Sequence, residues 1–302
     1  MPGPASGGLK APVERTADLD GPARYLDFGG AGQPLVLLHG LGGAAENWLA
    51  VGAALTENHR VLAPDLRGHG RTPLSGHPAR VNDHQRYFDA FLRQVAGAPA
   101  LVVGNSMGGL ISVLQAARQP VTVSALLLVD PALPWAGRRR FDFAVWAAFG
   151  SLLLPGVAGR GRSLRRRRLG AERTVRESLA MICADPDRVP QEVIRAHVDL
   201  SEEQSLVPDY SRALVQSGRS ILRMLASLRF DPIYRSLKCP VSLIHGDHDR
   251  LVPVEFSLGL AQRYDWPVDV LPGVGHVPMM EVPDLFSQTA LRRLRTPALR
   301  SA

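Results

Sequence analysis

Residues 101–110 read LVVGNSMGGL, and the position of the serine within them sets the topology expected of the chain. An apolar run, Ala100 to Val103, leads into it, and a helix-like segment, Leu110 to Arg118, follows. A hairpin turn between two alternating strands would carry Asn-Gly or Asp-Gly instead. Ser106 is therefore expected on a tight turn from a buried strand into a helix. Gly104 and Gly108 complete a G-x-S-x-G pattern, a turn so close-packed that its flanks have little room for side chains. Such a turn exposes the serine hydroxyl at the carboxyl end of a sheet and aims the first amides of the helix at the same spot. The hydroxyl attacks well only if a histidine takes its proton and a carboxylate fixes that histidine's tautomer.

On either side of this stretch, short apolar runs recur at Pro34–Leu38, Val61–Ala63, Leu101–Val103, Leu126–Val129, Val241–Ile244 and Val268–Leu271, with helix-like segments between them. That alternation predicts an α/β protein: a mostly parallel sheet with helices on both faces. It breaks once. From Pro131 to about Ser236 no strand is evident, and the segment reads as several helices jointed at Pro131, Pro134, Pro155, Pro186, Pro190, Pro208 and Pro232. The expected organisation is a loose Gly/Pro/Ser-rich leader at 1–20, a core of 21–134 and 237–302, and a helical insertion at 135–236.

Partners for Ser106 are sought downstream. His276, in LPGVGHVPMMEVPDLF, lies just past the last expected strand, where a loop would carry it over the carboxyl edge of the sheet. His59, His77, His84 and His197 sit in polar contexts and read as solvated surface, while His245 and His39 read as structural or supporting. Two acids qualify: Asp249 in IHGDHDRLVP and Asp130 in LLLVDPAL, with Asp247 a lesser rival. Asp249 is favoured, because Asp130 also suits a cap or turn opening the insertion. Charge developing on an attacked carbonyl needs preorganised donors. The backbone N–H of Met107 supplies one, and that of Leu41, in the glycine-rich HGLGG after the strand of residues 34–38, supplies the second.

The motifs HGLGG, PDLRGHGRT (64–72), GNSMGG, GDHDRLVP and GHVPMMEVP stand in an order and spacing that resembles the α/β-hydrolase superfamily, over about 24–134 and 237–290. The resemblance implies Ser106 as nucleophile, Asp249 as acid, His276 as base, Leu41 and Met107 as oxyanion donors, and 135–236 as a cap over the site. Asp65, Arg67 and His69 match a structural loop of that superfamily. Members similar to haloalkane dehalogenases or epoxide hydrolases carry Asp at the elbow, so Ser106 implies acyl transfer through an acyl-enzyme. GNSMGG also occurs in hydrolases that cleave carbon-carbon bonds of ring-fission products. Those follow the histidine with Trp, whereas Val277-Pro278-Met279 follows here. An esterase or lipase acting on an apolar ester is thus the leading expectation; a carbon-carbon hydrolase or a non-catalytic ligand-binding protein of the same fold are the alternatives.

Composition narrows the rest. Cys183 and Cys239 are too few for a disulfide framework and lie in no metal-binding spacing, so neither a metal nor an organic cofactor is expected. With no apolar signal segment at the N-terminus, a cytoplasmic location is expected. The net charge of +7 is concentrated: Arg138 to Arg173 holds ten arginines against Asp142 and Glu172, a local +8. Between its clusters runs Phe143–Gly159, 17 residues without a charge, short of the roughly 20 needed to span a bilayer and interrupted by Pro155-Gly156. Its simplest reading is a helix lining an acyl pocket. The sharper one is a lid making peripheral contact with an anionic membrane. Nucleic acid is not expected, since no aromatics interleave the arginines.

Overall fold

The computed structural model describes residues 11–97, 99–134, 169–204, 207–226 and 230–295. Its strands are β1 (Val13–Asp18), β2 (Pro22–Gly29), β3 (Gln33–Leu38), β4 (His59–Pro64), β5 (Ala100–Asn105), β6 (Val123–Val129), β7 (Val241–Gly246) and β8 (Val268–Leu271). In space they run β1-β2-β4-β3-β5-β6-β7-β8. β2 is antiparallel to both β1 and β4, and all other pairs are parallel.

The central strands are mostly apolar because both of their faces are covered. Leu35 and Leu37 of β3, Leu101 and Val103 of β5, and Leu127 and Val129 of β6 pack with Trp48 and Phe286 in one core. Their neighbours Val36, Leu38, Val102, Leu126 and Leu128 point the other way, onto Phe88, Phe91, Leu110 and Leu114. The helices are α1 (Val81–Phe91), α2 (Met107–Arg118), α3 (Ala171–Ile182), α4 (Gln191–Gln204), α5 (Pro208–Leu225), α6 (Asp231–Arg235), α7 (Val254–Tyr264), α8 (Pro278–Glu281) and α9 (Pro283–Arg295). α1, α2 and α7 supply the second core, and α9 covers the first. α3 to α6 fall between β6 and β7, so the described part of 135–236 is helical. The apolar run 143–159 and the arginines at 138–140 and 160–168 lie outside the described residues.

One expectation is corrected. Residues 13–18, assigned to a loose leader, form edge strand β1, paired with β2 from Val13↔Asp27 to Asp18↔Pro22. The pairing is reinforced by Arg15–Asp27 at 3.0 Å and Arg24–Glu14 at 2.8 Å. β2 itself was not anticipated, because Arg24 and Asp27 interrupt what would otherwise read as a buried strand. Both are buried and ion-paired.

The parallel register brings the functional segments to one edge. Leu38 is paired with Gly104, Asn105 with Val129, Val129 with Ile244 and Gly246 with Leu271. The chain thus leaves four adjacent strands at His39, Ser106, Asp130 and Asp247, side by side at the carboxyl end.

Candidate active site

Ser106 sits between β5 and α2 with φ 54° and ψ −116°, a conformation that L-residues seldom adopt. Backbone bonds hold it there: its N–H donates to Val129 O at 3.0 Å, and its O accepts from Leu110 and Ala132. Close packing explains the glycine beyond it, since a Cβ on Gly108 would lie 2.3 Å from Leu38 O. A Cβ on Gly40 would lie 2.9 Å from Ser106 Cβ, so the loop that bears Leu41 rests directly on the elbow. Met107 is the first residue of α2, and its N–H has no acceptor within the helix.

His276 is buried, and its Nδ1 donates to Asp249 Oδ2 at 2.6 Å. That bond fixes the tautomer and leaves Nε2 as the basic nitrogen. Asp249 Oδ1 accepts from the N–H groups of Leu251 and Val252 at 2.7 and 3.0 Å. Burial raises its pKa, but His276 and His245 outweigh burial and hold the carboxyl below its ordinary range. Of the three acids weighed from sequence, the structure brings Asp249 to His276. Asp247 instead pairs with His248 and with Gly273 N–H on the surface.

Asp130 lies behind this pair. Its Oδ1 accepts from Gly246 N–H at 2.9 Å, and its Oδ2 is buried without a hydrogen-bond partner. Burial and then the charge of Asp249 push its pKa well above the carboxylate range. His245 Nε2 approaches both acids, at 3.6 Å from Asp130 and 3.4 Å from Asp249. The three form the only group among the described residues with the spacing to hold a cation. Its chemistry is unsuited to one: Nε2 faces Val252 O at 2.9 Å and so carries its proton, while Nδ1 accepts from Ser257. The cluster is better described as a support behind Asp249.

The Leu41 loop is supported from below. His39 Nδ1 donates to Gly40 O at 2.8 Å and Nε2 accepts from Leu66 N–H, and burial lowers its pKa to about 3, so it is a neutral strut. Asp65 accepts from the N–H groups of Ala45 and Arg71 and from Arg24, which also grips Glu46. This fits the structural role expected of Asp65. Of the other histidines, His84 and His197 depart from the sequence reading: His84 is fully buried, with Nε2 bonded to Ser217 Oγ of α5, and His197 is half-buried with its Nε2 shut off from solvent. Sequence reasoning also passed over Asn105, whose Nδ2 donates to Val129 O and to His276 O at 3.1 Å, tying elbow to histidine loop. An amide at the buried end of an apolar strand was the available signal.

Residues 35–289 match the model of the alpha/beta hydrolase family. "Lipase 1" of Psychrobacter immobilis is 26% identical over 84% of this chain and 74% of its own length. The "2-hydroxy-6-oxo-6-(2'-aminophenyl)hexa-2,4-dienoic acid hydrolase" of Metapseudomonas resinovorans is 25% identical over 92% of this chain and 90% of its own. Among solved structures, a membrane phospholipase A described as a bacterial virulence factor superposes with a TM-score of 0.77 at 26% identity, covering 98% of this chain and 89% of that one. With the family model spanning most of the sequence and the sheet, elbow and histidine loop in place, the chain belongs to the alpha/beta hydrolase family.

Proposed function

We propose that this protein is a serine hydrolase that cleaves a carboxylic ester with an apolar acyl or alcohol part. The 2.6 Å bond between His276 Nδ1 and Asp249 Oδ2 carries the reading, since it leaves Nε2 to serve the serine on the elbow. In this reading Ser106 Oγ adds to the ester carbonyl as its proton passes to His276 Nε2. The N–H groups of Leu41 and Met107 receive the oxyanion, and ionised Asp249 stabilises the imidazolium. Collapse breaks the bond to the alcohol, which leaves with the proton from His276, and Ser106 holds the acyl group. Water, deprotonated by the same nitrogen, then releases the acid and restores the hydroxyl.

The lipase and phospholipase names among its relatives support an ester with an apolar part. Stoichiometric fluorophosphonate labelling of Ser106, with turnover of nitrophenyl esters across acyl chain lengths, is the expected result. Labelling without turnover of any ester or of a ring-fission dienoic acid would make the protein a ligand-binding relative instead. A second reading, carbon-carbon bond hydrolysis, is favoured by the GNSMGG elbow and by the dienoic acid hydrolase that aligns along nearly the whole chain. Consumption of a ring-fission dienoic acid by protein inert to esters would establish it.

We further propose a cytoplasmic protein whose arginines at 160–168 meet an anionic lipid surface. Among the described residues no helix is long and apolar enough to cross a membrane. Cosedimentation with phosphatidylglycerol vesicles but not neutral ones, reversed as salt shortens the Debye length toward about 8 Å near 0.15 M, is the expected behaviour. Equal binding to both vesicle types would leave the arginines a solvated face.

A further inference from the structure

Five residues after His276, Glu281 ends the short helix α8 and is 1% exposed. A carboxylate this deep needs partners, and it takes backbone N–H groups from two segments far apart in the chain. Oε2 accepts from Gly275 at 2.8 Å and from Ala184 at 3.1 Å, and Oε1 accepts from Asp185 at 2.9 Å. Gly275 immediately precedes His276, while Ala184 and Asp185 follow the end of α3. The same two segments meet again where His276 N–H donates to Ile182 O at 2.7 Å. On the far side of the histidine, Glu281 N–H donates to Val277 O at 3.0 Å. The backbone at 275, 276 and 277 is therefore fixed residue by residue, twice by Glu281 and once by the last turn of α3.

We propose that Glu281 is a positioning residue that sets His276 on Asp249 by tying the histidine loop to the C-terminal end of α3. The proposal rests on His276 being the base. The side-chain hydrogen bonds of Glu281 run to the backbone N–H groups of Gly275, Ala184 and Asp185, so its influence passes through the backbone. The requirement is strict, because a displacement of about 1 Å at a reacting group costs on the order of 10²-fold in rate. A carboxylate suits this position because three converging N–H donors need acceptors only, and an amide would turn an NH₂ against one of them.

The deciding comparison sets Glu281→Gln and Glu281→Asp beside the wild type. In folded Glu281→Gln, kcat for a soluble nitrophenyl ester should fall about 10- to 100-fold, with KM changing far less. The downfield proton resonance of the His276–Asp249 hydrogen bond should weaken or shift. Glu281→Asp, which keeps the acceptors and shortens the reach, should recover part of both. An unchanged resonance together with unchanged kcat in Glu281→Gln would overturn the proposal, as would a fall in both that Glu281→Asp does nothing to repair. The resonance is read without turnover, so it judges the positioning even if the wild type fails to label at Ser106, a result that would sink the esterase reading instead. Should Glu281→Gln not fold, Glu281→Asp, which keeps the acceptors and shortens the reach, is read directly against the wild type. A smaller loss of kcat with the same spectral change supports the proposal; no change in either contradicts it.

Discussion

Asp249 has both oxygens occupied, Oδ1 by two backbone N–H groups and Oδ2 by His276, while Asp130, on the neighbouring strand end, has an oxygen with no partner. The pKa values of the two acids are pushed in opposite directions, Asp249 down where His276 and His245 outweigh burial and Asp130 up through burial, although they share His245. Asp249→Asn removes the acceptor that fixes the histidine tautomer, and kcat for ester hydrolysis should fall by about 10⁴-fold. Asp130→Asn leaves the His276–Asp249 bond in place and should keep kcat within about tenfold. Steady-state kinetics on both variants checks the order, and the reverse order would move the acid to Asp130. Ser106 and His276 were legible from the sequence because a rigid turn and a fixed chain order announce them. The choice between the acids was only weighted there, since both follow strands and both precede His276. What separates them is the direction each side chain takes from its turn, which depends on backbone angles such as the φ of 44° at Asp130.

Among the strands and helices, the parallel strands were readable because burial on both faces leaves almost nothing but apolar residues. The joints of the helical region were readable too, with Pro190 just before α4, Pro208 opening α5 and Pro232 in the first turn of α6. β1 and β2 were not readable: Arg24 and Asp27 are polar in sequence, and only the fold supplies their counter-charges. His84 was missed for the same reason, its partner Ser217 lying on α5. Arg24 is 6% exposed and grips Glu46 at 2.8 Å and Asp65 at 3.2 Å, both buried. Arg24→Ala takes the buried guanidinium from two buried acids, leaving Glu46 to Arg71 and Asp65 to its backbone N–H groups, and should lower the unfolding free energy by about 3 kcal/mol. A urea titration showing a loss below about 1 kcal/mol would mean that the network is not what anchors β2.

Across the molecule as a unit, the buried histidines decide the response to acid. The rings of His39, His69 and His84 follow one another at 5.6 and 5.4 Å. Burial lowers the pKa of His39 to about 3 and of His69 to about 4, and lowers those of His84 and His197 as well. The unfolded chain binds these protons near pH 6.5, so below that pH it holds more protons than the folded state, and stability falls on acidification. Two carboxyls oppose the trend: Asp65, raised to about 6 by burial and Glu46, and Asp130, raised well above its usual range, keep protons when folded that the unfolded chain has lost. Four lowered histidines against two raised carboxyls leave a net proton uptake on unfolding between pH 6 and 5, so stability falls as the pH is lowered through that interval. Urea midpoints should fall across that interval; a flat or rising midpoint would show that the histidines are charged or solvated in the fold. The proposed ester hydrolysis requires that Ser106 become acylated. Protein mixed with a nitrophenyl ester, quenched in acid within the first turnover and weighed intact, should carry one acyl group, mapped to Ser106 and missing from Ser106→Ala. Sustained turnover with no adduct, or an adduct on another residue, would rule out the acyl-enzyme at Ser106.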